Sequence, residues 1–244
     1  KGRTTSVHDE EMRHGHKSNG KVYSGHKASL AVELTSGVIT SVDVTAPADP
    51  DGAQVRSLVE RTEELTGCPV DCALGDTAYS TRTAIAQAQE ARVALLTKMP
   101  APPKGRYGPS AFRVSRGGTR AVCPAGKRSL KVARRAAGEL HQWAAPTCGS
   151  CPLKSACTRA AARSLLVPPD FHERRRRERY ANSESGRRRL RQRVVAEHGI
   201  GRLKNLGAGA ARYCGRAKTR AQLLWTAAVA NLSLAWAADA DLAA

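Results

Sequence analysis

Aromatic residues are scarce in this chain: Phe, Trp and Tyr make up 4 % of its 244 residues. That scarcity argues against a surface that reads single strands by stacking bases on rings. No apolar secretory leader opens the sequence, and its seven cysteines are an odd number. Both features speak against a disulfide scaffold and for a reducing, cytoplasmic setting. Residues 1–20 are polar and begin without Met, which reads as the interior of a longer protein. The one long uncharged stretch, residues 221–238, contains Gln222, Thr226, Asn231 and Ser233 and is rich in alanine. A membrane span needs about 20 strongly apolar residues, so a buried C-terminal helix is expected there. There is no internal repeat.

Acidic residues are too few to balance the basic ones. Forty Lys+Arg face 21 Asp+Glu, a net charge of +19. Residues 1–100 carry 11 basic and 13 acidic side chains, residues 101–220 carry 29 against six, and the last 24 carry none against two. A hydrophobic fraction of 41 % is enough for a core, which excludes a disordered basic tail or a collagen-like chain. Solubility needs only a modest charge of mixed sign. A near-neutral first part beside a concentrated basic block reads instead as a nucleic-acid footprint. An anionic membrane surface is the rival that composition alone leaves open.

Residues 22–34, the Ser36-Gly37 turn signal and the β-branched run 38–45 read as a hairpin. Pro47, Pro50 and Gly52 break the chain. Residues 53–65 place Val55, Leu58, Val59 and Leu65 near helical spacing, with Gly67 as C-cap. Residues 70–74 form a short apolar strand that ends at Gly75-Asp76. Ser80 can cap a helix through Glu90, and residues 93–97 read as another strand. This is an α/β pattern with a helix-flanked sheet. The Pro-, Gly-, Arg- and Cys-rich segment that follows breaks the rhythm and reads as an insert. One helix is expected over residues 186–206 and another over 217–237.

Four groups of residues carry chemistry. Asp76 ends a strand, where open α/β sheets place their crevices and where a carboxylate can hold a metal; an Asp there also serves as a turn or helix cap. Arg193, Glu197 and Lys204, at helix offsets of 0, 4 and 11, fall at roughly 0°, 40° and 20° on one stripe. Such a stripe can ligate a metal and grip phosphates, or it can be a solvated salt-bridge ladder. Cys123, Cys148, Cys151 and Cys157 include a C-x2-C pair and can close a tetrahedral zinc site; reduced cysteines in a loop are the alternative. Cys68, Cys72 and Cys214 read as structural. Arg187, Arg188 and Arg189, like the run from Arg174 to Arg177, suit bidentate contact with the phosphates of a duplex.

The order of these pieces resembles the catalytic region of bacterial insertion-sequence DDE transposases. The resemblance rests on SVHDEEMRHGHKSNGKVYSGHK (residues 6–27), LGDTAYS (74–80) and RVVAEHGIGRLKNLGAGAARYCG (193–215). Arg193, Glu197 and Lys204 match the family's Tyr-x2-Arg-x3-Glu-x6-Lys signature, with Leu190 where Tyr is usual. His26 likewise stands where Tyr is common. The resemblance implies an RNase H-like fold whose three acids bind two divalent ions. Asp76 would be the second acid and Glu197 the third. The first normally lies on a strand before the hairpin, and this chain offers none; Asp9 lies in a segment that usually follows it.

The expectation is therefore an α/β protein: an RNase H-like mixed sheet with flanking helices, interrupted by a Cys-rich insert and lacking its N-terminal strand. Residues 1–99 would begin the core, 100–170 would form the insert, and 171–244 would complete the core with helices. The parent reaction would be strand cleavage and transfer at transposon ends with Mg²⁺ or Mn²⁺, and the insert can hold a structural Zn²⁺. Asp76 and Glu197 would hold the divalent ions, while Arg193, Lys204, Arg187, Arg188 and Arg189 would hold DNA. A cytoplasmic homo-oligomer on DNA, without a membrane, is expected. The chain by itself would be inactive for want of one acid. The alternative is a non-catalytic, zinc-dependent nucleic-acid-binding module.

Overall fold

Strand pairing rather than apolar patterning builds the first element, because its residues are polar. In the computed structural model of the protein, which describes residues 5–18 and 20–242, β1 (Arg13–Ser18) and β2 (Lys21–Gly25) form an antiparallel hairpin. The sequence pattern did not announce β1. It also placed Val22 in the wrong hairpin: the second one pairs β3 (Lys27–Val32) with β4 (Ile39–Thr45). Its turn is organised by Glu33, whose carboxylate accepts from the Thr35 N–H at 2.9 Å and the Ser36 N–H at 2.6 Å. Those backbone donors, that of Ser36 first, bring the Glu33 carboxyl down to about 2.

The helix α1 (Val55–Thr66) buries Val55, Leu58 and Val59. It ends where Gly67 adopts φ +66° and its N–H reaches the Glu63 carbonyl, the left-handed stop expected of glycine. A parallel pair follows, β5 (Cys72–Gly75) with β6 (Ala94–Thr97), joined through α2 (Arg82–Glu90). Thr81, not Ser80, caps α2, its hydroxyl accepting from the Ala84 N–H at 3.2 Å. Ser80 instead closes a short 3₁₀ turn, Thr77–Ser80. Val55, Val59, Ala84, Ala88 and Val93 form the core between these elements.

The chain divides into two compact units. One comprises Lys1–Lys98 with Glu184–Ala244, and the other is Met99–Ser183. The second unit contains β7 (Arg113–Val114), β8 (Ala121–Val122), β9 (Lys131–Arg135), β10 (Gly138–Gln142), α3 (Ala145–Gly149), α4 (Lys154–Cys157), β11 (Ser164–Val167) and α5 (Phe171–Asn182). Its largest sheet runs β11-β10-β9, all antiparallel. Phe112, Ala121, Trp143, Leu165, Val167 and Phe171 make its core, with the Phe112 and Trp143 rings 5.4 Å apart. His141 is fully buried: it donates from Nε2 to the Gly118 carbonyl at 2.7 Å, and Nδ1 lies 3.0 Å from the Ser129 hydroxyl. A hydrogen-bonded core histidine of this kind is structural.

The remainder of the first unit is helical. The single helix expected over residues 186–206 is two helices, α6 (Glu184–Arg191) and α7 (Val194–Leu203). They are linked through Gln192 and Arg193 by tight bonds such as Gln192 N–H to the Arg189 carbonyl at 3.1 Å. A wide π turn, Lys204–Ala208, follows with Gly207 at φ +87°, before α8 (Arg216–Leu242). On α8, Leu223, Ala227 and Ala230 recur at helical spacing and pack with Ile39, Val42, Val44 and Leu203. The expected burial of this helix holds for that face alone, since Trp225, Val229, Leu232 and Trp236 are exposed. By length and composition, Arg216–Asp239 is apolar enough to cross a membrane. The sheet of the first unit is not continuous either: β3-β4 and β5-β6 are separate two-stranded sheets, where one mixed sheet was expected.

Candidate functional site

Asp76 leaves the carboxyl end of β5 in an extended conformation and turns at once into the 3₁₀ segment, where its Oδ1 accepts from the Ala78 N–H at 2.9 Å. The acid therefore does cap a turn. That bond uses one oxygen, and the residue is exposed. Gly75 makes the close approach possible, because a Cβ there would stand 2.8 Å from the Tyr79 Cβ. Tyr79 is the residue that the sequence reading passed over. Burial first of all pushes its phenol up, a contact with the Ser29 hydroxyl on β3 opposes this, and its oxygen lies within electrostatic reach of Asp76, Asp51 and Lys27. Lys27 on β3 donates to Asp51 Oδ1 at 2.9 Å and to the Asp49 carbonyl at 2.7 Å. The end of β5 thus gathers two acids, a lysine and a tyrosine, of which only Asp76 was anticipated. Asp51 lies in the turn-rich Pro50-Asp51-Gly52 run, which reads locally as a chain reversal and nothing more.

Glu197 projects from the first turn of α7. Gly199 on the same helix is buried: a Cβ there would meet Val32 Cγ2 at 3.0 Å and Ile39 Cγ1 at 3.7 Å. The Arg202 guanidinium adds a bond to the Gly37 carbonyl in the β3–β4 turn. This docking holds α7 against the hairpin and leaves the Glu197 side chain 55 % exposed, paired to Arg193 Nη2 at 3.0 Å. The salt-bridge reading of this stripe is realised for that pair. Lys204 falls outside it, standing exposed where α7 passes into the π turn. On α6, Arg187, Arg188 and Arg189 are all exposed, with Arg188 loosely paired to Glu184 at 3.6 Å. No hydrogen bond or ion pair joins Asp76 to Glu197. Among the described residues no group of three or more His, Cys, Asp or Glu side chains is already arranged to hold a metal ion.

A second pairing was also missed. Asp9 and His26 are buried together, with side chains 4 % and 3 % exposed and His26 Nε2 at 2.9 Å from Asp9 Oδ2. An ionised carboxylate offers only lone pairs, so Nε2 carries the proton. The same carboxylate accepts from the Gly215 N–H at 3.0 Å. Glu11 beside it takes the Arg216 N–H at 2.7 Å and its guanidinium at 2.8 Å. Asp9 and Glu11 thereby tie the N-terminal segment to the start of α8, which is a structural assignment.

In the second unit the four cysteines come from three places: the turn after β8, the end of α3 with the residues following it, and the end of α4. None is bonded to another, and none is exposed, whereas Cys68 and Cys214, read as structural, are both free and exposed. Charge is uneven between the units as well. Residues 99–183 carry 18 Lys+Arg against four acids, and the other unit carries 22 against 17. Arg116, Arg175, Arg176 and Arg179 line a cleft of about 700 Å³ in the basic unit.

Two family models, both described as a transposase DDE domain, match the chain over residues 2–144 and 122–235. The protein is a member of the DDE transposase family. No curated protein and no solved structure matches it. Membership implies an RNase H-like α/β fold, DNA as substrate and divalent metal ions in the reaction. The mixed α/β unit with its small sheets agrees with that class.

Proposed function

We propose that this chain is the C-terminal part of the catalytic region of an insertion-sequence transposase, which cleaves DNA strands at transposon ends and transfers them. The observation that carries the reading is the position of Asp76, at the carboxyl end of β5 with one oxygen uncommitted, in the same unit as Glu197 on a helix docked to β3–β4. Carboxylate oxygens are the hard donors that Mg²⁺ or Mn²⁺ requires, so the donor set fits. Asp76 and Glu197 would hold the ions. When bound, a pair of divalent ions supplies an activated oxygen and a stabilised leaving oxygen in phosphodiester exchange.

The side chains of the unit have separate tasks in this reading. Arg193 holds the Glu197 carboxylate in place, while exposed Lys204, Arg187, Arg188 and Arg189 grip backbone phosphates. Among the described residues, strand β3 pairs only with β4, and β5 only with β6, so each sheet keeps an open edge. A strand bearing the first acid would join them. Such a protein works on DNA in the cytoplasm, as a homo-oligomer assembled on its ends.

A nicking assay on transposon-end DNA with Mg²⁺ or Mn²⁺ tests the reading. The protein with its upstream reading frame is expected to cut, and Asp76→Ala and Glu197→Ala to abolish cutting, while the 244-residue chain binds DNA without nicking. Robust cleavage by the short chain, abolished by Asp76→Ala, would overturn the need for a further acid. Cleavage that survives both substitutions would overturn the site. The competing reading, a non-catalytic, zinc-dependent nucleic-acid-binding module, draws on the Asp76 cap and the Glu197–Arg193 pair as structural bonds. It predicts DNA binding with no cleavage by any length of the protein.

A further inference from the structure

Four thiols that no disulfide joins line one small cavity in the Met99–Ser183 unit: Cys123, Cys148, Cys151 and Cys157, with room of about 30 Å³ between them. That is space for an ion or one to two waters. The backbone on each side is folded into tight turns that aim sulfur inward. At Cys123 the N–H donates to the Lys127 carbonyl at 2.9 Å and the carbonyl accepts from the Gly126 N–H at 2.9 Å, with Gly126 at φ +77°. At the C-x2-C pair the Cys151 N–H reaches the Cys148 carbonyl at 3.3 Å.

A cation stands beside the sulfurs. The Arg163 N–H donates to Cys148 Sγ at 3.5 Å, and the Arg163 guanidinium bonds the Cys157 carbonyl at 3.3 Å. The Nε of that guanidinium is buried without a partner. An unpaired donor beside four neutral thiols is costly; beside thiolates it is satisfied or screened. A tetrathiolate around a divalent ion carries a net charge of −2, which suits a unit with 18 basic side chains and four acids. The unit also needs reinforcement, since its core consists of six buried apolar residues and its β7–β8 pair is two residues long on each side.

We propose that Cys123, Cys148, Cys151 and Cys157 hold one structural Zn²⁺ as thiolates, and that this ion staples the Met99–Ser183 unit. The thiols do not yet form a finished ligand set, so binding includes the closing of their side chains onto the metal and the release of their protons. The proposal does not depend on the catalytic reading, because Asp76 and Glu197 lie in the other unit.

The test uses the full chain purified under reducing conditions. Elemental analysis is expected to find one zinc per chain. Replacement by Co²⁺ is expected to give sulfur-to-cobalt charge-transfer absorption with the visible bands of a tetrahedral site. Cys148→Ser with Cys151→Ser should lower zinc affinity by at least about tenfold, whereas Cys68→Ser, Cys214→Ser and Asp76→Ala should leave it unchanged. The cobalt spectrum is read on the unaltered chain, so a variant that fails to fold does not obscure the result. A folded chain free of metal, cobalt without thiolate absorption, zinc retained by the double variant, or a Cys148–Cys151 disulfide in the reduced preparation would each overturn the proposal.

Discussion

The side-chain amide of Asn231 closes a two-bond ring with the backbone of Ile39, accepting from its N–H at 2.9 Å and donating to its carbonyl at 2.9 Å across 192 residues of sequence. One residue of α8 thereby satisfies both polar groups at the start of β4 and fixes the register of helix on strand. Asn231→Leu keeps the volume and removes both bonds, leaving two backbone groups of a buried residue unpaired. A loss of about 1–3 kcal/mol is expected, measured by urea unfolding. Asn231→Asp, which keeps only the acceptor, should fall between.

Asp9 gives the first unit an acid-sensitive fastening. The Gly215 N–H is the main cause that holds its carboxyl below the ordinary 3.8, burial opposes this, and His26 adds to the lowering. A carboxyl lower in the folded than in the unfolded chain contributes stability that is fully present above about pH 4 and is lost as pH falls through the folded value. Thermal unfolding from pH 7 downward should therefore show a drop below about pH 4 that Asp9→Asn reduces. The same substitution should cost about 1 kcal/mol or more at pH 7 through its weakened hydrogen bonds.

Glu197 separates a structural from a chemical role by magnitude. As an exposed i,i+4 partner of Arg193 it contributes only about 0.2–0.5 kcal/mol to stability. Glu197→Gln should thus leave the melting temperature within about 1–2 °C of the parent. Loss of strand cleavage in the nicking assay, with melting unchanged, would assign the carboxylate to the reaction. Retained cleavage would return it to the helix surface.

Arg187, Arg188 and Arg189 are tested by salt. If all three contact duplex phosphates, replacing them with alanine should reduce the slope of log K against log salt by about 0.9 for each contact, or roughly 2.7 together. Filter binding or fluorescence anisotropy over a salt series reads this directly. An unchanged slope would remove α6 from the interface.

Where a few neighbouring residues carried the signal, the sequence was a good guide. The β-branched run of β4, the Val55, Leu58 and Val59 spacing of α1 and the Gly67 stop are local properties, and each lies within one or two residues of its expected place. Strand β1 escaped notice because its polar residues are extended through pairing with β2 and not through any pattern of their own. The break between α6 and α7 carries no proline and no glycine, so nothing at Gln192 and Arg193 announced it. Asp9 with His26, and Tyr79 with Ser29, are made by distant segments meeting, which periodicity does not report. The uncharged stretch 221–238 within α8 suited a wholly buried helix, but an alanine-rich stripe of Leu223, Ala227 and Ala230 was enough to seat it, leaving its tryptophans outside.

Those tryptophans give each unit its own optical reporter. Trp143, 4 % exposed, lines the cysteine cavity of the second unit, while Trp225 and Trp236, 76 % and 80 % exposed, stand on α8 in the first. Emission from the folded chain is therefore expected to have a blue, shielded component from Trp143 and a red component open to iodide quenching from α8. With only three indoles in the molecule, each unit can be followed through melting or ligand addition without any label.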